Sequence, residues 1–577
     1  MPRMHCMEAA VRVMEDEGIT AIFGMPGANI NPFYQALAKS TKIKHFIARH
    51  EEGASHAAEG WARATGIPGV CVSTSGPSGT NFVTGLYNAF QDSVPIIAIT
   101  GQHTRPMQGK EAFQALDITE IVRPVVKKAY YVREAAQIPW VFRDAFRVCR
   151  EGRPGPVLID LPIDVQRGEV EYDPSIDGPL PVHRPAPDER RIRRAIDMLL
   201  AGQKPILLVG GGAVTSGAGE AFRAFAEYLQ IPVVNTSMAK GAFPASHSLY
   251  AGEVGIQAST RSGNAAFLDS DVVFALGCRF GDRHTGALDV YMRGRTFIQV
   301  DIDPLQISRQ FPVDLGIVGD ARLVMEAMTR VAKGVTPARQ ADERAKAIPA
   351  QRKELARRLD FAGTPIKPQR LYKEINEFFG PDTIFTTCIG LNQIWANQFM
   401  EIEKPGHFML AGGAGPLGWD MPAAIGVKVA KPHATVVNIT GDYGFQFCMQ
   451  EWGMACQYGI PVVVVVVNNG NMSLIRQGQK YGYGGLRFEV DIDFPHGAET
   501  ENNFLDFTTF SEAFGGWGER VTDPDQIKGA FQRALASGKP AIVDVIVQRD
   551  ADASMGLAID AVREFEPIEE KQPVASR

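Results

Sequence analysis

Residues 436–447 read VVNITGDYGFQF, and residues 460–471 read IPVVVVVVNNGN. Each is a run of β-branched residues that ends in polar ones. Such runs, without polar alternation, predict strands buried on both faces, as in a parallel sheet. Ligands of those sheets bind outside the carboxyl ends of the strands, where Asp442 and the pair Asn468–Asn469 stand. A carboxylate, an amide oxygen and a nearby loop carbonyl are hard oxygen ligands suited to Mg²⁺, which also takes phosphates. The glycines beside the Asp let backbone N–H groups approach a phosphate closely. Together the two motifs read as a Mg²⁺–diphosphate anchor. Either motif alone also reads as a turn with a helix-capping Asp or Asn.

The chain has 577 residues, too many for one core, so about two to four domains are expected. Apolar content of 45% and charged content of 21% are those of a globular protein in water. A net charge of −6 does not suggest nonspecific nucleic-acid binding. No run of about 20 apolar residues predicts a membrane span. The first residues, MPRMHCMEAAVRVMEDEG, form an acidic amphipathic helix pattern without the apolar core of a signal peptide. Seven cysteines without a CxxC pair predict buried packing residues, no zinc or disulfide framework, and a cytoplasmic setting.

Strand-like runs fall into three blocks. TAIFGMPG, KHFIARH, GVCVSTSGP, VPIIAITGQ and GPVLIDLPIDV belong to the first, residues 1–166. A proline-rich linker, 167–190, follows. KPILLVGGGAV, VVFALGCRF and TFIQVDIDP mark the second, 191–335. A charged linker, 336–366, leads to the third, 367–550, which holds the metal motif, and an irregular tail covers 551–577. Strands alternating with helices predict three doubly wound parallel-sheet α/β domains.

The Asp442 and Asn469 motifs resemble the GDG…NN signature of thiamine diphosphate (ThDP) enzymes, with Tyr443 in place of the usual third glycine. The resemblance spans nearly the whole chain. FGMPGANINPFY, RHEEGASHAAEG, TSGPSGTNFVTGL and EAFQALDI resemble the pyrimidine-binding domain of ThDP decarboxylases and carboligases. GLNQIWANQ and GGAGPLGWDMPAAIG resemble their diphosphate-binding domain. PGANINPFY, AGPLGWDMPAAIG, NNGNMSLIRQ and SMGLAIDAVREFE are especially similar to the glyoxylate carboligase family, and acetohydroxyacid synthase catalytic subunits resemble the chain next.

The resemblance implies roles for particular residues. Glu51 is the carboxylate that hydrogen-bonds the pyrimidine N1′; glyoxylate carboligases carry Val there. Taken alone, Glu51 next to Glu52 reads as a solvated or capping charge. Leu417 props the cofactor in its bent form, or is an ordinary core leucine. Met472 and Ile475 line the pocket, or form one apolar face of a helix. Phe113 and Gln114 face the reacting carbon, or anchor a buried loop. Ile389 and Gly415 hold the aminopyrimidine, and Gly27, Leu391, Asn392, Gly441, Tyr443 and Gly444 complete the cofactor site. Asp442, Asn469 and Asn471 hold Mg²⁺. Gly478 stands where acetohydroxyacid synthases place Trp, which argues against their acceptor preference.

In the second block, VGGGAV alone is weak support for a nucleotide site. The resemblance implies structural, non-redox FAD held by Arg153, Gly211, Gly212, Gly277, Arg279, Arg283, Asp301, Ile302, Asp320 and Ala321. Gly281 replaces an Asp common in acetohydroxyacid synthases. The implied reaction decarboxylates glyoxylate and couples the resulting enamine to a second glyoxylate, giving tartronate semialdehyde and CO₂. The alternatives are an acetolactate synthase-like or other 2-oxo acid or aldehyde carboligase, and a catalytically silent cofactor-binding subunit. A nicotinamide or flavin oxidoreductase is disfavoured, because no acidic ribose-binding residue stands at the expected distance from the glycines. Homodimers or homotetramers with intersubunit active sites are expected.

Overall fold

The computed structural model describes residues 3–494 and 504–565. It holds three six-stranded sheets, and every ladder in them is parallel. The first sheet comprises Ala21–Gly24, Lys44–Ile47, Gly69–Ser73, Ile96–Gln102, Lys128–Tyr131 and Val157–Pro162. The second comprises Pro205–Val209, Val233–Asn235, Tyr250–Glu253, Val272–Leu276, Thr296–Asp301 and Leu315–Val318. The third comprises Ile384–Thr387, Phe408–Leu410, Val436–Gly441, Val463–Asn468, Trp517–Val521 and Ala541–Ile546. With strands counted along the chain within each sheet, the spatial order is 2-1-3-4-6-5 in the first and third sheets. In the second it is 3-2-1-4-5-6, the dinucleotide-binding order. Each order has a switch point beside its first strand, where a crevice opens.

The unbroken valine run is explained by its packing. Val463, Val465 and Val467 enter one apolar core, while Val464 and Val466 enter another. A strand covered on both faces needs no polar alternation. The segments between the sheets are more ordered than their composition suggests. Glu169–Glu171, in the proline-rich stretch, pairs antiparallel with Arg3–His5, so the N-terminal helix begins only at Cys6. The charged stretch 336–366 contains the helix Glu343–Glu354, which buries Ala345 and Ile348 against the second sheet. After Val547 the chain docks on the second unit. Strands Met555–Gly556 and Val562–Arg563 pair, Ala558 bridges to Gly286, and Glu564 is paired with Arg357. Tail residues 566–577 lie outside the described residues. Among the described residues, no helix is long and apolar enough to cross a membrane.

The first and third units share one core. Ala54, Ala57 and Trp61 pack in the same cluster as Trp419, Met421 and Ala423. The contact is made by two helices, Glu51–Thr65 and Asp420–Ala430, and glycine permits it from both sides. A Cβ on Gly60 would lie 2.1 Å from the Ala423 carbonyl oxygen, and one on Gly426 would lie 1.9 Å from that of Ala57. Glu451 of the third unit adds a polar clamp. Its carboxylate accepts the backbone N–H groups of Arg49 and His50 at 2.8–3.1 Å. Burial pushes the Glu451 carboxyl up to about 7, against the lowering effect of those N–H groups.

Gly426→Ala should therefore destabilise the protein by about 1–3 kcal/mol through overpacking, read as a lower unfolding midpoint. Gly334→Ala, whose Cβ would meet nothing within 4 Å, should be neutral or stabilising. Glu451 supplies a pH signature. Its raised folded-state pKa favours the fold below about pH 4.5, and that contribution is lost as pH rises through about 7. Glu451→Gln should flatten this part of the stability–pH curve by up to about 3 kcal/mol. An unchanged curve would remove Glu451 as its source.

Candidate active site

Glu51 opens the helix Glu51–Thr65 but does not cap it. His50 does, its Nδ1 accepting the Glu52 N–H at 3.2 Å. Nor is Glu51 a solvated charge, for it is only 6% exposed. Its Oε1 accepts from Ser73 Oγ at 3.1 Å and from Ser78 Oγ in a shorter contact. Its Oε2 accepts from Asn81 Nδ2 at 2.9 Å. Ser73 and Ser78 also bond each other at 2.6 Å. All three donors belong to the first unit: Ser73 ends the strand Gly69–Ser73, and Ser78 and Asn81 lie in the short helix Pro77–Asn81 that follows. Sequence reasoning missed them. The sign available was the small polar residues in TSGPSGTN, directly after a buried strand.

The third sheet brings the metal motif together at its switch point. Asp442 follows the third strand and begins the short helix Asp442–Gln446. Its Oδ2 accepts the Gly470 N–H at 2.8 Å, and burial pushes its carboxyl up to about 7. Asn468 is structural: its amide donates to Asp544 at 2.9 Å. Among the described residues, the Asn469 side chain has no hydrogen-bond partner. Asn471 donates to the Asn469 and Arg549 carbonyls, which leaves its Oδ1 buried and unpaired. A buried carboxylate with an orphaned amide oxygen nearby in sequence suits a small hard cation. Asn392 crosses the same crevice, donating to Thr387 Oγ1 and to the Cys388 and Ile439 carbonyls. A Cβ on Gly441 would approach Asn392 Oδ1 to 3.3 Å. Leu391 is fully buried. Tyr443 needs no glycine-like backbone; it lies within the short helix, with its ring edge-on to Phe447.

Leu417 is half-buried and not a core residue. It lies beside Gly444, where an added Cβ would meet it at 3.7 Å. Gly415 has φ +65°, and a Cβ there would meet Ile389. Gln114 also sits in the left-handed region, at φ 58°, and packs on Gly76, whose added Cβ would lie 2.8 Å away. The loop therefore touches Gly76, which precedes the short helix whose Ser78 and Asn81 hold Glu51. Phe113, next to it, is 81% exposed and anchors nothing within the chain. Gly27 packs on Thr74, 2.5 Å from an added Cβ.

The helix Ser473–Gly482 packs Leu474 against the third unit's core but otherwise turns polar side chains inward. Its buried residues are Arg476 and Gln477, which grip Ala551, Asp552 and Ala553. Met472 is half-buried, Ile475 is 49% exposed, and nothing lies within 4 Å of a Cβ on Gly478. Met472 and Ile475 are thus not one face of a core helix.

At the switch point of the second sheet, Gly212 and Gly277 approach so closely that a Cβ on either would lie within 3 Å of the other's Cα. Gly211 packs on Met238. Arg153, from the first unit, donates to Ser93 and to the Phe90 and Gln91 carbonyls. Burial lowers its pKa, as does Arg279, while Asp303 and Asp301 oppose them. Arg283 donates to Gln257 and Gln393. Asp301 is pushed up to about 6, chiefly by burial, and Ile302 follows it at the strand end. Asp320 caps the helix Ala321–Val335. Arginines from two units around buried carboxylates, beside closely packed glycines, make a cradle that suits an anionic dinucleotide.

Three family descriptions match the chain. "Thiamine pyrophosphate enzyme, N-terminal TPP binding domain" matches residues 4–121, the central domain 192–328, and the C-terminal TPP binding domain 388–545. Glyoxylate carboligase of Escherichia coli O157:H7 is 44% identical over 98% of this chain and 97% of its own. A probable acetolactate synthase large subunit of Methanocaldococcus jannaschii is 39% identical over 94% of this chain and 91% of its own. The acetolactate synthase large subunit of Corynebacterium glutamicum is 39% identical over 95% and 88%. With its three parallel-sheet units and its paired carboxylate sites, the chain belongs to the thiamine pyrophosphate enzymes, alongside glyoxylate carboligase and the acetolactate synthases.

Proposed function

We propose that this enzyme decarboxylates glyoxylate and joins the remaining one-carbon unit to a second glyoxylate, giving tartronate semialdehyde and CO₂. The observation that carries the reading is the helix Ser473–Gly482. It offers Met472 and Ile475 as an apolar wall, and Gly478 leaves open space beside them. Such a wall excludes water from a charged 2-oxo acid but gives no surface to grip a larger acceptor. The likeness to glyoxylate carboligase supports the same substrate.

Thiamine diphosphate, when bound, supplies the nucleophilic carbon and the electron sink. Asp442, Asn469 and Asn471 would hold Mg²⁺, with Gly441, Tyr443 and Gly444 contributing backbone at the diphosphate. Glu51, oriented by Ser73, Ser78 and Asn81, would share a proton with the pyrimidine N1′. Leu417, Ile389 and Gly415 would shape the cofactor's bend, and Phe113 and Gln114 would close over the substrate. FAD would occupy the second unit's cradle as a structural group. All the hydrogen-bond donors to Glu51 come from its own unit, which supports a homodimer or homotetramer in which a second protomer's third unit completes each site. Seven free cysteines fit a reducing cytoplasm. Glu51 also favours a second reading, in which pyruvate gives acetolactate, as in the synthase relatives.

NMR of products from glyoxylate and from pyruvate tests the assignment. Tartronate semialdehyde with little acetolactate is expected, and acetolactate as the main product would overturn it. Gly478→Trp should shift the ratio toward acetolactate. Glu51→Val should slow exchange of the thiazolium proton by about 10²-fold or more, and Asn81→Ala by roughly tenfold. Unchanged exchange in Glu51→Val would refute the role given to Glu51.

A further inference from the structure

One buried cluster takes no part in the chemistry above. Glu52 and His56 stand one turn apart on the helix Glu51–Thr65, so they share a face. Cys448, from the third unit, meets them across the interface. One ligand atom from each residue lies within 4.8 Å of the other two.

His56 makes the cluster unusual. It is fully buried, and neither ring nitrogen has a hydrogen-bond partner. Buried polar groups are nearly always satisfied, and an orphan calls for an ion or a water. The Glu52 carboxylate does not satisfy it, because Nε2 to Oε1 is 3.6 Å, beyond hydrogen-bond length. That spacing instead suits two ligands on one tetrahedral ion, whose donor atoms at about 2.0–2.3 Å from the metal stand roughly 3.3–3.8 Å apart. Nδ1 faces the neighbouring helix, where a Cβ on Gly85 would lie 3.7 Å away. Cys448 is 1% exposed, with its sulfur against Gly418. Glu52 keeps 24% of its side chain exposed, which gives an ion a way in and leaves a position for water.

We propose that Glu52, His56 and Cys448 form a Zn²⁺ site that staples the first unit to the third. Imidazole, thiolate and carboxylate are the ligand set of zinc, whereas Mg²⁺ demands oxygen. The Cys448 proton leaves on binding. The site lies apart from the all-oxygen set of Asp442, Asn469 and Asn471. It joins the helix that begins with Glu51 to the residue packed on Gly418, next to Leu417. Motif spacing could not reveal it, because its ligands come from two distant segments.

The test uses the full-length protein stripped with chelator and dialysed, then titrated with Co²⁺ and with Zn²⁺. One Co²⁺ per chain should give a thiolate-to-cobalt charge-transfer band that stoichiometric Zn²⁺ abolishes. Cys448→Ser should remove the band and weaken Zn²⁺ binding at least about tenfold, the loss caused by removing even an outer-shell partner, with the circular dichroism spectrum unchanged. Asp442→Asn should keep the band. No band in the unaltered protein, a band that survives Cys448→Ser, or one lost in Asp442→Asn would each overturn the proposal.

Discussion

Two helices that touch backbone to backbone set how the first and third units of the chain sit together. Gly60 lies on Ala423 and Gly426 on Ala57, with no side chain between them. Around this contact runs a buried polar network. Glu59 takes hydrogen bonds from Arg63, Asn88 and Trp419. Asp92 takes them from Arg63 and from the backbone of Gly412 and Gly413. Such networks add little net stability but are costly to break. Here the effect is positional. The loop 412–419, which carries Gly415 and Leu417, is fixed against the helix that begins with Glu51. The depth of one helix in the other therefore governs where both segments stand.

The first and third units reach this contact with the same strand order, 2-1-3-4-6-5, and in both the contacting helix comes next after the second strand. They differ in what stands at the switch point. In the first, a strand end and the short helix after it supply hydroxyl and amide donors to one carboxylate, Glu51. In the third, the strand ends supply oxygen acceptors, Asp442 and the asparagines, suited to a cation. One topology thus presents a hydrogen-bonded buried carboxylate in one unit and a buried carboxylate near an unpaired amide oxygen in the other. The division follows from a few residues after the second, third and fourth strands, because the sheet fixes where they must emerge.

Much of this was legible in the sequence. The valine run announced a doubly covered strand, and the polar residues after it stand at its carboxyl end, as a parallel sheet requires. The central strands of the first sheet and Pro205–Val209, Val272–Leu276 and Thr296–Asp301 of the second were readable for the same reason, whereas the buried Ile384–Thr387 and Ala541–Ile546 of the third were not picked out. Edge strands such as Lys128–Tyr131 and Leu315–Val318 were not, being short and partly exposed. The proline-rich and charged stretches hid order that depends on tertiary partners, such as the pairing of Glu169–Glu171 with Arg3–His5. The cradle of Glu51 was hidden because Ser73, Ser78 and Asn81 are an ordinary strand end and short-helix residues until the fold aims them at one carboxylate. Tyr443 looked awkward by its neighbours alone, yet the backbone there is helical and accepts it.

The helix Ser473–Gly482 shows how a site can invert the rule that places apolar residues inside. Arg476 and Gln477 are buried because the chain after Val547 offers them carbonyls and a carboxylate, so the polar side is satisfied inward. Ile475 then faces outward, as do Tyr483 at 74% and Phe488 at 64% exposure. Phe113, next to the Gln114 that packs on Gly76, is more exposed still. Exposed apolar side chains gathered on segments that border cofactor-binding residues mark surfaces meant to be covered. A cofactor and substrate would cover part of them, and a second protomer the rest. Under the proposed intersubunit arrangement, a single chain would be an incomplete site.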